Sequence, residues 1–173
     1  MDDIQKRAQG IKLFITDVDG VLTDGALIYD AHGVAIKAFH VHDGLGLKLL
    51  MDHGIEVAVI TTCKAQATIA RMRDLGVKHV YTGIENKVIA YEALLNKLNL
   101  TDADVAYAGD DLPDLPLIRR ASLGIAVANA TPLVLKYADW ITERRGGQCA
   151  VREICERLLA AQNHDAHIEA RYQ

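Results

Sequence analysis

The sequence predicts an α/β fold, a Rossmann-like, doubly wound and mostly parallel sheet, on three observations. Short apolar runs alternate with longer stretches of helical periodicity. The segments joining them are short, as connections in such a sheet are. The residues that break the apolar pattern are polar and fall where strands run out: Asp17 and Asp19, then Thr61, then Asp110 and Asp111. Ligands of open parallel sheets bind outside the carboxyl ends of the strands, so these positions belong to one edge.

Residues 12–15 (Lys-Leu-Phe-Ile) read as the first core strand, and Gly20 lets the chain turn away sharply. Asp17 and Asp19 stand two apart, so strand geometry carried through them sends both side chains to one face. Residues 26–30 and 35–41 read as the strands of a β-hairpin, about 26–41, joined through His32-Gly33. Residues 44–53 follow a helical pattern that stops at Gly54, and 56–61 form the continuous apolar strand expected where both sheet faces are covered. A helix at 65–75 ends at Gly76, a strand covers 77–81, and a helix covers 85–98. The strand at 105–108 stops at Gly109-Asp110-Asp111. A helix is predicted over 112–121, with Pro113 and Pro116 tolerated near its start. A strand at 123–127, a helix at 132–137, a short strand at 140–141 and a helix at 150–162 follow, and the polar tail, about 163–173, is expected to be loose.

At 173 residues the chain has the length of a single domain, 1–173, able to bury roughly two-thirds of the surface its unfolded form exposes. A formal charge of −4 with no run of Lys or Arg longer than a pair argues against nucleic-acid and membrane partners. Three cysteines, Cys63, Cys149 and Cys155, form no CxxC and are odd in number, so reduced thiols in a cytoplasmic protein are expected. The amino terminus opens with acids and has no apolar core behind it, and no segment approaches a membrane-spanning length, so nothing directs export or insertion.

Two crowded carboxylates repel unless a cation joins them, and Mg²⁺ uses one or two carboxylates with water and substrate phosphate. The competing reading of Asp17-Val18-Asp19-Gly20 is a solvated acidic turn. Taken singly, Thr61 is a strand terminus, Lys87 a solvated helix lysine, and Asp110 and Asp111 helix caps. Asp114 reads as a helix-face or supporting residue rather than a ligand. His40 and His42 fall on one face of a predicted strand and lack a nearby third ligand, which argues against a metal there. Cys63 has no evident activating partner and reads as inert.

Asp17-x-Asp19-Gly20-x-x-Thr23-Asp24, the strand-ending Thr61, Lys87 at a helix start and Gly109-Asp110-Asp111-x-x-Asp114 resemble the four ordered motifs of haloacid dehalogenase-like phosphohydrolases. The short span from Asp24 to Gly44, Phe39-x-Val41-x-Asp43-Gly44-x-Gly46 and Gly146-Gly147-x-x-Ala150-Val151-Arg152-Glu153 resemble, more narrowly, the capless 3-deoxy-D-manno-octulosonate 8-phosphate (KDO 8-phosphate) phosphatases of that superfamily. The resemblance runs from about residue 11 to 162. It implies Mg²⁺ as cofactor, with Mn²⁺ or Co²⁺ able to substitute, and hydrolysis through an aspartyl-phosphate, a step towards lipopolysaccharide. Asp17 is then the nucleophile and Asp19 the acid and base, while Thr61 and Lys87 meet the phosphoryl group. Asp17, the backbone carbonyl of Asp19 and Asp110 hold the metal, with Asp111 in its outer shell. Arg71 aligns with a family arginine that binds the sugar-acid carboxylate.

The chain departs from the family at His42, at Thr62-Cys63-Lys64 and at Gln148-Cys149, where Arg, a Gly-Arg pair and Arg-Gly are usual; Lys64 is then a candidate replacement for a lost arginine. The family assembles tetramers through its hairpins, and the apolar Leu27, Ile28, Ile36 and Phe39 fit a homotetramer with composite sites. Alternatives are a phosphatase for a nonulosonate 9-phosphate and a non-enzymatic receiver-like signalling domain. Asp19 disfavours the second, since a carboxylate placed to activate water shortens the life of a phosphoryl signal.

Overall fold

A computed structural model describes residues 3–173; Met1 and Asp2, from the acidic amino terminus, lie outside the described residues. Helix α1 (Asp3–Gln9) leads into strand β1 (Leu13–Thr16), which is buried throughout. There follow β2 (Ile28–Tyr29), β3 (Ala35–Ile36), α2 (Val41–Asp52), β4 (Glu56–Thr61), α3 (Gln66–Leu75), β5 (His79–Thr82) and α4 (Lys87–Leu98). Then come β6 (Val105–Gly109), α5 (Leu115–Ile118), β7 (Leu123–Ala126), α6 (Pro132–Tyr137), β8 (Trp140–Ile141), α7 (Ala150–Ala161) and α8 (Asp165–Tyr172).

Six strands make one parallel sheet in the order β5-β4-β1-β6-β7-β8, and β2 and β3 form a separate antiparallel pair. This is the predicted doubly wound sheet. Helices α1, α2 and α7 pack together, while α4, α5 and α6 form a second group. Cover on both faces explains why β1 and β6 are apolar along their length; each of Leu13, Phe14 and Ile15, fully buried, contributes ~2 kcal/mol of hydrophobic stabilisation. The chain runs outward from β1 through β4 to β5, then returns to β6 on the other side of β1. The strand order therefore reverses between β1 and β6, the kind of switch point outside which ligands of open parallel sheets bind.

The hairpin is shorter than predicted. Its second strand ends at Ile36, and α2 begins at Val41, because extended His40 (φ −80, ψ 134) acts as the helix cap and its ring accepts from the His42 amide. His40 and His42 thus lie at the start of a helix and share no strand face. Residues 112–121 are not one helix: Pro113 and Pro116 supply no amide hydrogen, so a 3₁₀ turn (Leu112–Asp114), capped by Asp111, gives way to the four-residue α5. The polar tail carries α8, where Arg171 pairs with Asp52 at 2.7 Å and Ile168 leans on the core. The hairpin presents Leu27, Ile28, Tyr29, Val34 and Ile36 to solvent.

The loop after β8 backs onto the loop after β1, where the Gly147 amide donates to the Val21 carbonyl at 2.9 Å. A Cβ on Gly146 would stand 1.6 Å from the Gly20 carbonyl oxygen, so the two backbones meet without room for a side chain. Gly146→Ala should therefore cost about 2–3 kcal/mol, the usual penalty of overpacking, and lower the melting temperature by roughly 6–10 °C. Gly10→Ala is the control, since its Cβ meets nothing nearer than 3.6 Å and should leave a thermal melt almost unchanged.

Candidate active site

The parallel pairing of β1 continues one residue past the strand, because the Asp17 amide donates to the Ala108 carbonyl at 3.0 Å. Asp17 is thereby fixed at the switch point. The next turn folds back on the Val18 carbonyl, which accepts from the amides of Val21, Leu22 and Thr23. Thr23 ties the loop further, its hydroxyl oxygen accepting from the amides of Gly20 and Gly25. Gly20 adopts φ +87, and a Cβ there would stand 2.1 Å from a carboxylate oxygen of Asp110. A glycine at this position therefore admits both the turn and the close approach of Asp110.

Across the switch point, β6 delivers Asp110, and the 3₁₀ turn beyond it brings Asp114 back underneath. Asp17, Asp110 and Asp114 each offer an oxygen within 4.8 Å of the others. Lys87, the first residue of α4 and buried, spans two of them, its ammonium 2.9 Å from Asp17 and 2.7 Å from Asp114. Asp114 is fully engaged. Lys87 and the Tyr107 hydroxyl donate to one oxygen, the latter at 2.6 Å, and the amides of Asp110 and Asp111 donate to the other.

Burial, followed by repulsion from Asp114, pushes the Asp17 carboxyl up to about 6 against the pull of Lys87. Asp110 is pushed up to about 7 by burial and by the charges of Asp114, Asp17 and Asp111. Burial works against the Lys87 ammonium, but Asp114 and Asp17 outweigh it and raise its pKa. One ammonium facing three carboxylates leaves excess negative charge among oxygen donors alone. Mg²⁺ fits this donor set, since a hard cation of high charge density prefers carboxylate oxygen and water. Asp114 has spent its oxygens on protein donors, so Asp17 and Asp110 are the side chains free to hold the ion.

The other predicted residues are distributed around this centre. Asp19 lies further out, where its carboxylate accepts from Lys37 on the arm leaving the hairpin. Thr61 closes β4 and is buried, its hydroxyl oxygen accepting from the Cys63 amide at 3.2 Å. Asp111 faces outward and caps Leu112 at 2.8 Å; it acts on Asp110 through its charge. The stem of Lys64 lies across Gly83, just past β5, and the guanidinium of Arg71 lies against Gly44 in the first turn of α2. Sequence reasoning missed Lys37 and Tyr107. Lys37 lies 18 residues from Asp19 in a strand-like run, and Tyr107 reads as one more apolar residue of a core strand, so neither carried a signal.

A haloacid dehalogenase-like hydrolase family matches residues 62–146. The curated KdsC of Escherichia coli strain K12, a 3-deoxy-D-manno-octulosonate 8-phosphate phosphatase, is 46% identical over 160 residues, covering 92% of this chain and 85% of the relative. The crystal structure of the Moraxella catarrhalis phosphatase of the same name, in complex with magnesium ion, phosphate ion and KDO, superposes with a TM-score of 0.97 at 43% identity, covering 100% of this chain and 99% of that one. The cobalt-bound form of the Haemophilus influenzae phosphatase has a TM-score of 0.89 at 42% identity, covering 92% and 94% of the two chains. With an aspartate-rich switch point and near full-length identity of this order, the chain belongs to the 3-deoxy-D-manno-octulosonate 8-phosphate phosphatase family of haloacid dehalogenase-like hydrolases.

Proposed function

We propose that the protein hydrolyses 3-deoxy-D-manno-octulosonate 8-phosphate to the free sugar acid and phosphate, in lipopolysaccharide precursor synthesis. The observation that carries this reading is the buried Asp17, gripped by Lys87 beside Asp110 at the strand-order reversal. With one oxygen held by Lys87, the other Asp17 oxygen is left to attack phosphorus, forming an aspartyl-phosphate as the sugar–oxygen bond to phosphorus breaks. Asp19 gives its proton to the departing sugar oxygen, then takes one from the water that cleaves the intermediate and frees Asp17. The Thr61 hydroxyl and the Lys87 ammonium meet the phosphoryl oxygens, and Asp114 with Tyr107 keeps Lys87 in place. Asp17, the Asp19 backbone carbonyl and Asp110 would hold Mg²⁺, or Mn²⁺ or Co²⁺ in its place, with Asp111 in the outer shell, and the ion would supply positive charge against the phosphoryl oxygens. Lys64 and Arg71 are the cations we assign to the sugar-acid carboxylate.

We further infer a cytoplasmic homotetramer joined through hairpins. The exposed Leu27, Ile28, Tyr29, Val34 and Ile36 support the assembly, and three free cysteines suit a reducing compartment. No helix among the described residues is long and apolar enough to cross a membrane.

Phosphate release should be fastest from the eight-carbon sugar-acid phosphate, slower from a nine-carbon one and from an aryl phosphate, and abolished by EDTA and by Asp17→Asn. Asp19→Asn should cost about 10²–10⁴-fold in kcat, the usual worth of a general acid–base group. Preference for the nine-carbon acid would rename the substrate, and activity surviving in Asp17→Asn would remove the nucleophile. Metal binding should depend on pH with a definite sign. Asp17 and Asp110 hold protons up to about 6 and about 7, above the ordinary carboxylate value of 3.8. Their share of metal-free stability is full below the ordinary value and is lost as pH rises through the raised ones. Mg²⁺ affinity by calorimetry should weaken by about tenfold per displaced proton for each pH unit below that range, and its gain in melting temperature should be larger at high pH. A flat affinity across the range would contradict this. In ultracentrifugation Leu27→Asp with Ile36→Asp should shift the protein from four chains towards one, and a single-chain mass for the unaltered protein would refute the tetramer.

A further inference from the structure

Away from the carboxylate cluster, three side chains with nitrogen and sulfur donors converge where α2 and α7 begin. His40 caps α2, His42 sits in its first turn, and Cys149 immediately precedes α7. Each offers a ligand atom within 4.8 Å of the others. The Cys149 sulfur lies 3.3 Å from His40 Nδ1, 3.5 Å from His40 Nε2 and 3.7 Å from His42 Nδ1. Two ligands of one tetrahedral zinc, with sulfur at ~2.3 Å and nitrogen at ~2.0 Å, stand about 3.5 Å apart. The imidazole rings are tilted by 57° with centroids 4.9 Å apart, so they lie side by side without stacking.

We propose that His40, His42 and Cys149 form a second metal site for a borderline divalent transition ion of the Zn²⁺ type, distinct from the all-oxygen site of Asp17 and Asp110. Thiolate and imidazole are the donors that such an ion selects and that Mg²⁺ does not. Three protein ligands leave a fourth position open to water or to an anion.

The backbone at Cys149 supports the assignment. It adopts φ 72 and ψ 20, the left-handed region in which a side chain is disfavoured and glycine is at ease, and its side chain makes no capping bond to α7. The thiol is therefore placed at a conformational cost and contributes nothing to the helix it precedes. Buried Asp43 stands close by. One of its oxygens accepts from the Arg152 amide at 2.7 Å, the Cys149 amide also acts on the carboxylate, and its charge acts on both His40 and His42. A buried carboxylate near two imidazoles offsets the charge of a bound cation. Binding replaces the thiol S–H bond by a sulfur–metal bond and releases one proton to solvent. Coordination through His40 Nδ1 also takes the lone pair that now accepts from the His42 amide at 3.2 Å, exchanging a helix cap for a metal bond.

The test is spectroscopic and independent of turnover. Full-length protein saturated with Mg²⁺ is titrated with Co²⁺ and the absorption spectrum followed. Expected are a thiolate-to-cobalt charge-transfer band in the near ultraviolet, intense tetrahedral d–d bands, an end point of one Co²⁺ per chain, and displacement by Zn²⁺. Cys149→Gly, which suits the left-handed backbone and so preserves the fold, and His42→Ala should each weaken that binding by at least about 100-fold. Asp110→Asn should leave the band in place. Absence of a thiolate band in the unaltered protein at millimolar Co²⁺ would overturn the assignment. So would a band that survives Cys149→Gly or that disappears with Asp110→Asn.

Discussion

Two buried carboxylates, a third half-buried one and one buried ammonium at the end of two adjacent strands set the terms for the rest of the molecule. Asp17, Asp110 and Asp114 repel one another in a medium that screens poorly, and Lys87 relieves the repulsion in part. Such a cluster survives only if its members cannot move apart. The sheet provides that restraint: β1 and β6 are hydrogen-bonded along their length, and the pairing extends through the amide of Asp17. Asp114 is clamped by four donors, and Lys87 is anchored by the first turn of a helix that Asn86 caps. The unfavourable charge is concentrated at this edge, and the parallel sheet beneath holds it in place.

Lys87 illustrates how little of this arrangement is favourable locally. An ammonium at the amino end of a helix meets the positive end of the helix dipole, and burial opposes its charge again. The two aspartates reverse both effects. The loops follow the same pattern, since Gly20 admits the Asp110 carboxylate and Gly146 admits the Gly20 carbonyl, each where a side chain would leave no room. Space at this edge is as tightly specified as charge.

The sheet, and the edge on which the chemistry gathers, were legible because their signals are local. A run such as residues 57–60 is apolar for its whole length, and a polar residue that ends such a run, as Thr61 does, can only lie at its mouth. The beginning of α2 was not legible, since histidine is not among the usual capping residues and the preceding residues alternate like a strand. Two prolines within a stretch of helix formers concealed the break after Asp111. Lys37 and Cys149 were hidden for another reason. Each meets its partner across a fold: Lys37 is 18 residues from Asp19, and Cys149 is 109 from His40. Spacing along a chain cannot display such pairs. Asp17, Asp19, Thr61, Lys87 and Asp110 could be singled out because their order is a motif, whereas the pieces that position them follow no pattern in sequence.

The hairpin has a consequence that reaches beyond assembly. Its ladder is only two residue pairs long, Ile28 with Ile36 and Tyr29 with Ala35, which is too little to hold a direction in water. Its orientation must be borrowed from its fastenings, and on the return arm the fastening is the grip of Lys37 on Asp19. Whatever draws Lys37 away from that carboxylate therefore unties the arm as well. The carboxylate of Asp19 and the posture of the hairpin share a single bond, so the most exposed apolar surface of the chain is mechanically tethered to the loop that follows the first strand of the sheet.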